Sequence, residues 1–312
     1  MSLYNLILVY QKGCVDPADF EEIAQIIRGQ APDIEVFIVE DASLALPTVI
    51  KAASRPTLIF SPLHLRNFIP ARGRISCGRR MPKLAQMQLM RRVGIPVPDW
   101  ELILPESRLQ ARDWGELVVV KPTGSLLASY ARGVELRLTE SVEFRPLDSY
   151  PEDHPGRYGP MFVQRFIDTG PYPAKIRVLT LFGTPVYAEE IQSEEAQIIP
   201  NPPTAEALQN VQITVVTGPR TRRFVYDQDV LDLARKLYSA APFIPLQGCD
   251  FIREVGTAKL YALEFNPGGN TWHFSSKAGG HHRIEGKRRQ EQFDAFNLAA
   301  DVLIAQTRKS AL

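Results

Sequence analysis

The run Leu-Tyr-Asn-Leu-Ile-Leu-Val-Tyr at residues 3 to 10 is almost wholly apolar and predicts a buried strand. Asp16-Pro17 then forms a helix start, with Phe20, Ile23, Ala24 and Ile27 on one face as far as Arg28. A second strand is expected at Ile34 to Val39, a short helix near Leu46 to Ala53, and a third strand at Thr57 to Phe60. Strands alternating with helices at this spacing predict a small parallel α/β unit. No Gly-x-Gly-x-x-Gly follows the first strand, which speaks against a dinucleotide-binding unit.

The pattern then changes. Residues 61 to 80 are rich in Pro, Arg and Gly and read as a connector. A helix is expected from Lys83 to Val93, with Pro82 at its first turn, Gly94 as its stop and Ile95-Pro-Val-Pro98 as extended chain. Strands follow at Leu117 to Lys121, Gly133 to Leu138, Met161 to Phe166, Ile176 to Leu181 and Val186 to Ile191. A further strand pair is expected at Gly248 to Arg253 and Lys259 to Phe265, so this part of the chain reads as antiparallel sheet. Residues 192 to 224 are polar and proline-bearing and give no assignment; residues 268 to 282 read as loop. Amphipathic helices are expected at Asp227 to Ala240 and at Gln290 to Gln306, the second with Phe293, Phe296, Leu298, Ala299, Val302 and Leu303 as its stripe.

Composition narrows the function. Of 312 residues, 45% are hydrophobic and 23% charged, enough to bury a sizeable core in more than one lobe. Thirty-six basic side chains against 35 acidic ones leave +1, which gives no reason to expect nucleic acid or a membrane as partner. Basic clusters such as Lys287-Arg288-Arg289 read first as solvated surface. Cys14, Cys77 and Cys249 are too few and too scattered for a disulfide framework or a structural zinc site. With no signal peptide and no apolar stretch of about 18 residues, a cytoplasmic protein is expected.

The chemistry concentrates in Gly248-Cys-Asp250-Phe-Ile-Arg and Leu260-Tyr-Ala-Leu-Glu264-Phe-Asn266-Pro-Gly-Gly-Asn270. Strand periodicity puts Glu264 and Asn266 on one face, and Asp250 on the neighbouring strand is able to point the same way. Two carboxylates and an amide are hard oxygen ligands suited to Mg²⁺. Lys121 ends an apolar strand, so its stem is buried and its ammonium needs an anion.

An Asp on one strand, Glu-x-Asn-Pro on the next and a Lys on an upstream strand resemble the ATP-grasp superfamily of ligases over roughly residues 80 to 275. The resemblance implies a pre-ATP-grasp α/β domain at residues 1 to 80 and ATP-grasp lobes at 81 to 164 and 165 to 312. Those lobes are antiparallel sheets enclosing ATP, and the second carries the metal site and the C-terminal helix. It implies ATP and Mg²⁺ as cofactors, with Mn²⁺ an acceptable substitute, and Asp250, Glu264 and Asn266 as metal ligands. Lys83, opening its helix before Gly-Ile-Pro-Val-Pro, and Lys121 would reach the phosphates. Gly124 and Ser125 would lie in the flap above them, a flap poorer in glycine than is usual in the family.

Met161-Phe-Val-Gln164-Arg-Phe-Ile167-Asp168 resembles the hinge strand of the superfamily. Gln164 and the backbone of Arg165, Phe166 and Ile167 would meet the adenine, and Asp168 the ribose. Arg177, in Lys175-Ile-Arg177, would hold the acyl phosphate or γ-phosphate; Lys175 stands where relatives often carry an acid. His273 would orient the second substrate, with Ser275, Ser276, Lys277, His281 and His282 as further candidates. The activity implied is ligation of a small-molecule carboxylate to an amine through an acyl phosphate, in a chain that forms homodimers in some relatives. Two alternatives stay open: a small-molecule kinase of the same architecture, and an ATP-binding regulatory protein without turnover.

Overall fold

The computed structural model describes residues 3–41, 54–65, 72–124, 132–209, 211, 213, 218–268, 271–275 and 283–312. The expected helix near Leu46 to Ala53 lies outside them, as do Ser125, Ser276, Lys277, His281 and His282.

The first sheet is parallel throughout, in the order β2-β1-β3-β4. Its strands are β1 (Tyr4–Tyr10), β2 (Ile34–Glu40), β3 (Thr57–Ser61) and β4 (Arg74–Cys77). Helix α1 (Pro17–Gln30) begins where the carboxylate of Asp16 accepts the N–H of Ala18 at 3.0 Å, and buries Phe20, Ile23, Ala24 and Ile27 as the pattern predicts. Strand β4 is a departure, since it falls in the stretch expected to be connector.

The second sheet runs β5-β8-β6-β7 and is antiparallel. It comprises β5 (Trp100–Leu102), β6 (Leu117–Pro122), β7 (Glu135–Leu138) and β8 (Met161–Arg165). One face of β6 sends Val118 and Val120 into a core with Met161 and Val163. The other face carries Val119 and, two residues on, Lys121.

The third sheet, also antiparallel, runs β11-β10-β9-β12-β13. Its strands are β9 (Ala174–Leu181), β10 (Thr184–Ser193), β11 (Arg220–Phe224), β12 (Leu246–Arg253) and β13 (Leu260–Asn266). The short helices α3 (Ala111–Trp114) and α4 (Ala205–Leu208) are connecting pieces. Helix α2 (Lys83–Arg92) and helix α5 (Gln228–Tyr238) pack on one face of this sheet, against Ile176, Val178, Cys249, Phe251 and Phe265. At one end of its opposite face, Leu179, Leu181, Tyr187 and Leu246 join a core shared with α1, the first sheet and α6 (Ala295–Ser310). At the other end that same face carries charged residues.

Helix α6 starts five residues later than the pattern suggests, because Arg289–Glu291 form a separate 3₁₀ turn and Asp294 takes a left-handed conformation at φ 55°. No helix among the described residues is long and apolar enough to cross a membrane.

Candidate active site

Four charged residues form a row across the third sheet. Glu189 on β10 stands opposite Arg177 on β9, Arg177 opposite Asp250 on β12, and Asp250 opposite Glu264 on β13. Directly opposed residues share a face, so sheet register alone brings these side chains together. Asn266 stands opposite Gly248 two residues along the same face. Gly248 is required there, because a Cβ would lie 2.4 Å from the Thr271 side chain crossing above it.

Asp250 is 2% exposed. Arg177 grips it with two parallel bonds, Nε to Oδ1 and Nη2 to Oδ2, both 2.7 Å, and Lys175 Nζ donates to Oδ2 at 3.0 Å. Burial by itself would raise the Asp250 carboxyl, but the two cations outweigh it and hold the group well below the usual carboxylate range. Arg177 is pushed the other way. Burial disfavours its charge, Asp250 more than compensates, and the guanidinium stays charged at any accessible pH.

Glu264 is differently placed. Its side chain is 29% exposed, and its carboxylate lies 3.2 Å from Lys83 Nζ. Helix α2 and the extended chain after it lie along the free edge of β13. Gln86 Oε1 accepts Phe265 N–H at 3.1 Å, and Pro96 O accepts Ala262 N–H at 2.8 Å. These bonds satisfy edge groups that would otherwise be open and bring Lys83 onto Glu264. Asn266 Nδ2 donates to Gly248 O at 2.9 Å, which leaves its side-chain oxygen as the remaining acceptor.

Lys121 donates to Gln164 Oε1 at 2.5 Å across the second sheet. Burial lowers its ammonium to about 8; Lys83 adds to the effect and Glu264 opposes it. The three therefore share one electrostatic neighbourhood. Gln164 is 2% exposed and its Nε2 has no partner among the described residues. Phe166 and Ile167 follow the end of β8, where Arg165 N–H donates to Asp99 O at 2.8 Å. Asp168 is exposed and spends its carboxylate on the turn itself, accepting Gly170 N–H at 2.8 Å. Gly124 is exposed beyond the end of β6. His273 is half-buried in the loop after β13, and its carbonyl accepts from Arg289 at 3.4 Å.

The structure thus gathers Lys83, Lys121, Gln164, Arg177, Asp250, Glu264 and Asn266, and differs from expectation in two pairings. Arg177, expected on a phosphate, is engaged by Asp250, and Asp250, expected on a cation, is already neutralised by Arg177 and Lys175. Among the described residues no three His, Cys, Asp or Glu side chains cluster closely enough to hold a metal. The oxygens of Glu264 and Asn266 fit a hard divalent cation; the carboxylate of Asp250, beside two cations, fits one less well.

A second, deeper group went unread in the sequence. Glu189, fully buried, accepts from Arg222 Nη1 at 2.6 Å and from Arg289 Nη2 at 2.9 Å. Arg289, expected as surface charge, is 2% exposed. This ion triad pins the chain before α6 beneath Arg177.

No protein-family model matches the sequence, and no curated protein matches it. Solved structures do match over nearly the whole length. The ATP-grasp ligase PsnB with minimal precursor, Mg and ADP is 15% identical, with 97% of this chain and 98% of that chain covered and a TM-score of 0.50. The same ligase with a phosphomimetic variant of its precursor gives 13%, the same coverage and a TM-score of 0.50. D-alanine–D-alanine ligase from Bacillus anthracis complexed with ATP is 13% identical, with 98% and 97% covered and a TM-score of 0.46. One parallel sheet, two antiparallel sheets and near-complete coverage of PsnB identify the architecture: this chain has the ATP-grasp fold.

Proposed function

We propose that the chain is an ATP-dependent ligase that activates a carboxylate as an acyl phosphate and passes the acyl group to an amine. The observation that carries this reading is the meeting of Lys83, Lys121 and Glu264. Lys83 lies 3.2 Å from Glu264, and the Lys121 ammonium, drawn down to about 8, feels the charge of both. Such a site suits a polyphosphate bound with a divalent cation. The PsnB structures contain Mg and ADP, which agrees with that choice of ligand.

The substrate carboxylate oxygen attacks the γ-phosphorus, and the bond from that phosphorus to the β–γ bridging oxygen breaks to release ADP. The amine nitrogen then attacks the acyl carbon, the carbon–oxygen bond to phosphate breaks, and the amine gives up a proton. Little covalent chemistry falls to the protein, so its contribution is positioning and charge. Lys83 and Lys121 neutralise phosphate oxygens, while Gln164 holds the Lys121 ammonium in place. A divalent cation on Glu264 and Asn266 would stabilise charge on the transferring group. Arg177 keeps Asp250 from adding negative charge against the incoming phosphates. His273, in the loop after the site strand, would border the acceptor.

The test is an ADP-release screen of carboxylic acids with hydroxylamine as nucleophile, which traps an acyl phosphate as its hydroxamate. ADP and hydroxamate are expected in equal amounts. Glu264→Ala is expected to lose about a hundredfold or more in rate with its melting temperature kept, on the scale of metal-site lesions. Full activity in Glu264→Ala would remove this mechanism. ADP release without hydroxamate, coupled instead to a phosphorylated hydroxyl, would make the chain a kinase.

A further inference from the structure

We propose that the site takes one divalent cation, on Glu264 and Asn266, and that the Lys175 ammonium stands in place of a second one at Asp250. The proposal rests on the nucleotide-binding reading above and specifies its ion count.

Register sets Asp250 and Glu264 directly opposite each other, so the backbone offers two carboxylates on one face. Their surroundings differ. Asp250 is 2% exposed, and its two oxygens accept from Arg177 at 2.7 Å each and from Lys175 at 3.0 Å. Two positive charges against one negative leave this cluster net positive at the place a dication would approach, and like charges repel in a poorly solvated site. Glu264 has a single cation beside it, Lys83 at 3.2 Å, and both side chains reach solvent. Lys83 sits at the start of α2 on a flexible stem, free to pass from Glu264 to a phosphate. Asn266 is held by Gly248 O through its Nδ2 and stands two residues from Glu264 on the same strand face.

Lys175 decides the matter because Arg177 is not dispensable. The guanidinium is buried, held by two parallel bonds and directly opposite Asp250. Lys175 is 17% exposed and attached by one bond, to Oδ2. Removing its charge leaves an Asp250–Arg177 pair of zero net charge, with Oδ2 accepting from Arg177 alone. Lys175 is thus a positioning residue that sets the number of ions through Asp250.

Mn²⁺ counted by electron paramagnetic resonance, on the full chain saturated with ADP, tests this. The wild type is expected to bind one Mn²⁺ per chain, Lys175→Met two, and Lys175→Arg one. Glu264→Gln should weaken Mn²⁺ about tenfold or more, and Asp250→Asn should leave one ion bound. Two ions in the wild type, one ion in Lys175→Met, or an Asp250→Asn chain that loses its ion as Glu264→Gln does would each overturn the proposal. Should Asp250→Asn fail to fold, the Met and Arg variants of Lys175 decide alone. A chain that binds neither ADP nor Mn²⁺ overturns the nucleotide reading and this proposal together; ADP with two ions overturns only this one.

Discussion

Burial draws the ammonium of Lys121 down to about 8, with Lys83 reinforcing the shift and Glu264 opposing it. A polyphosphate binds the protonated form, so its arrival raises the group again and takes up a proton. On the proposed function, nucleotide affinity should be fully present below about 8 and fall as pH rises through it, by up to about tenfold per pH unit. Calorimetric titration of ADP from about pH 7 to about pH 9.5, in buffers of different ionisation enthalpy, should show the decline and the proton uptake. In Lys121→Arg the side chain stays charged throughout, and the inflection should vanish. A flat wild-type profile would mean that Lys121 does not meet the phosphates.

Lys121, Glu264 and Asn266 were legible because each interrupts an apolar run at a strand position, where a charge without a partner is costly. The partners of Asp250 were not. Lys175 and Arg177 lie 75 and 73 positions away, and only the pairing of β9 with β12 brings them to it. A strand pattern tells which face a side chain takes and not which strand lies beside it. The alternation Lys175-x-Arg177 was the available signal: two cations on one face of a strand need an anion from a neighbour. Arg289 gave less. Its basic neighbours read as solvent-facing, and the buried Glu189, invisible to local pattern, is what it turns inward to meet.

Among elements, the strands missed share a position. β4, β5 and β11 each lie at the edge of their sheet, and each is short, with exposed or half-buried residues. An edge strand has one neighbour and little apolar demand, so hydrophobic patterning leaves it unmarked. The unassigned stretch after β10 also holds α4, whose Leu208 is 2% exposed and packs with Val119 and Leu136 on the Lys121 face of the second sheet. Ile199, Val211, Ile213 and Phe166 pack around them. A connection of the third sheet thus straps down onto the second beside the cleft. Leu208→Ala should weaken that docking by about 2–3 kcal/mol. Hydrogen exchange at the Leu208 amide, bonded to Thr204 O at 3.0 Å, should then quicken about thirtyfold or more, with β9 amides unchanged. Equal exchange in both proteins would show the strap to be held elsewhere.

At the scale of the whole molecule, the site is tied to the first sheet through one buried carboxylate. Asp19 lies among the apolar residues of α1, 1% exposed, and accepts Trp272 Nε1–H at 2.9 Å and Ser275 N–H at 3.3 Å. Trp272 stacks edge-on against Phe20 at 5.6 Å, and Tyr187 donates to Thr271 O at 3.0 Å. The loop that follows Glu264 and Asn266, and that carries His273, is thereby anchored in a core built by the first sheet. Burial raises the Asp19 carboxyl, and the bonds from Ser275 and Trp272 pull it partly back. A carboxyl raised on folding costs stability above its folded value, and that cost fades as pH falls through it. Asp19→Asn keeps an oxygen for the indole N–H and removes the buried charge, so it should stay within about 1 kcal/mol of wild type at neutral pH. Asp19→Ala leaves that N–H buried without a partner and should lose about 1–3 kcal/mol. Denaturant melts of the three proteins at neutral and mildly acidic pH read both effects. Any advantage of Asp19→Asn should shrink on acidification, because the wild-type carboxyl becomes neutral there too. If Asp19→Ala and Asp19→Asn melt together, the aromatic packing of Trp272 holds the loop without help from the carboxylate.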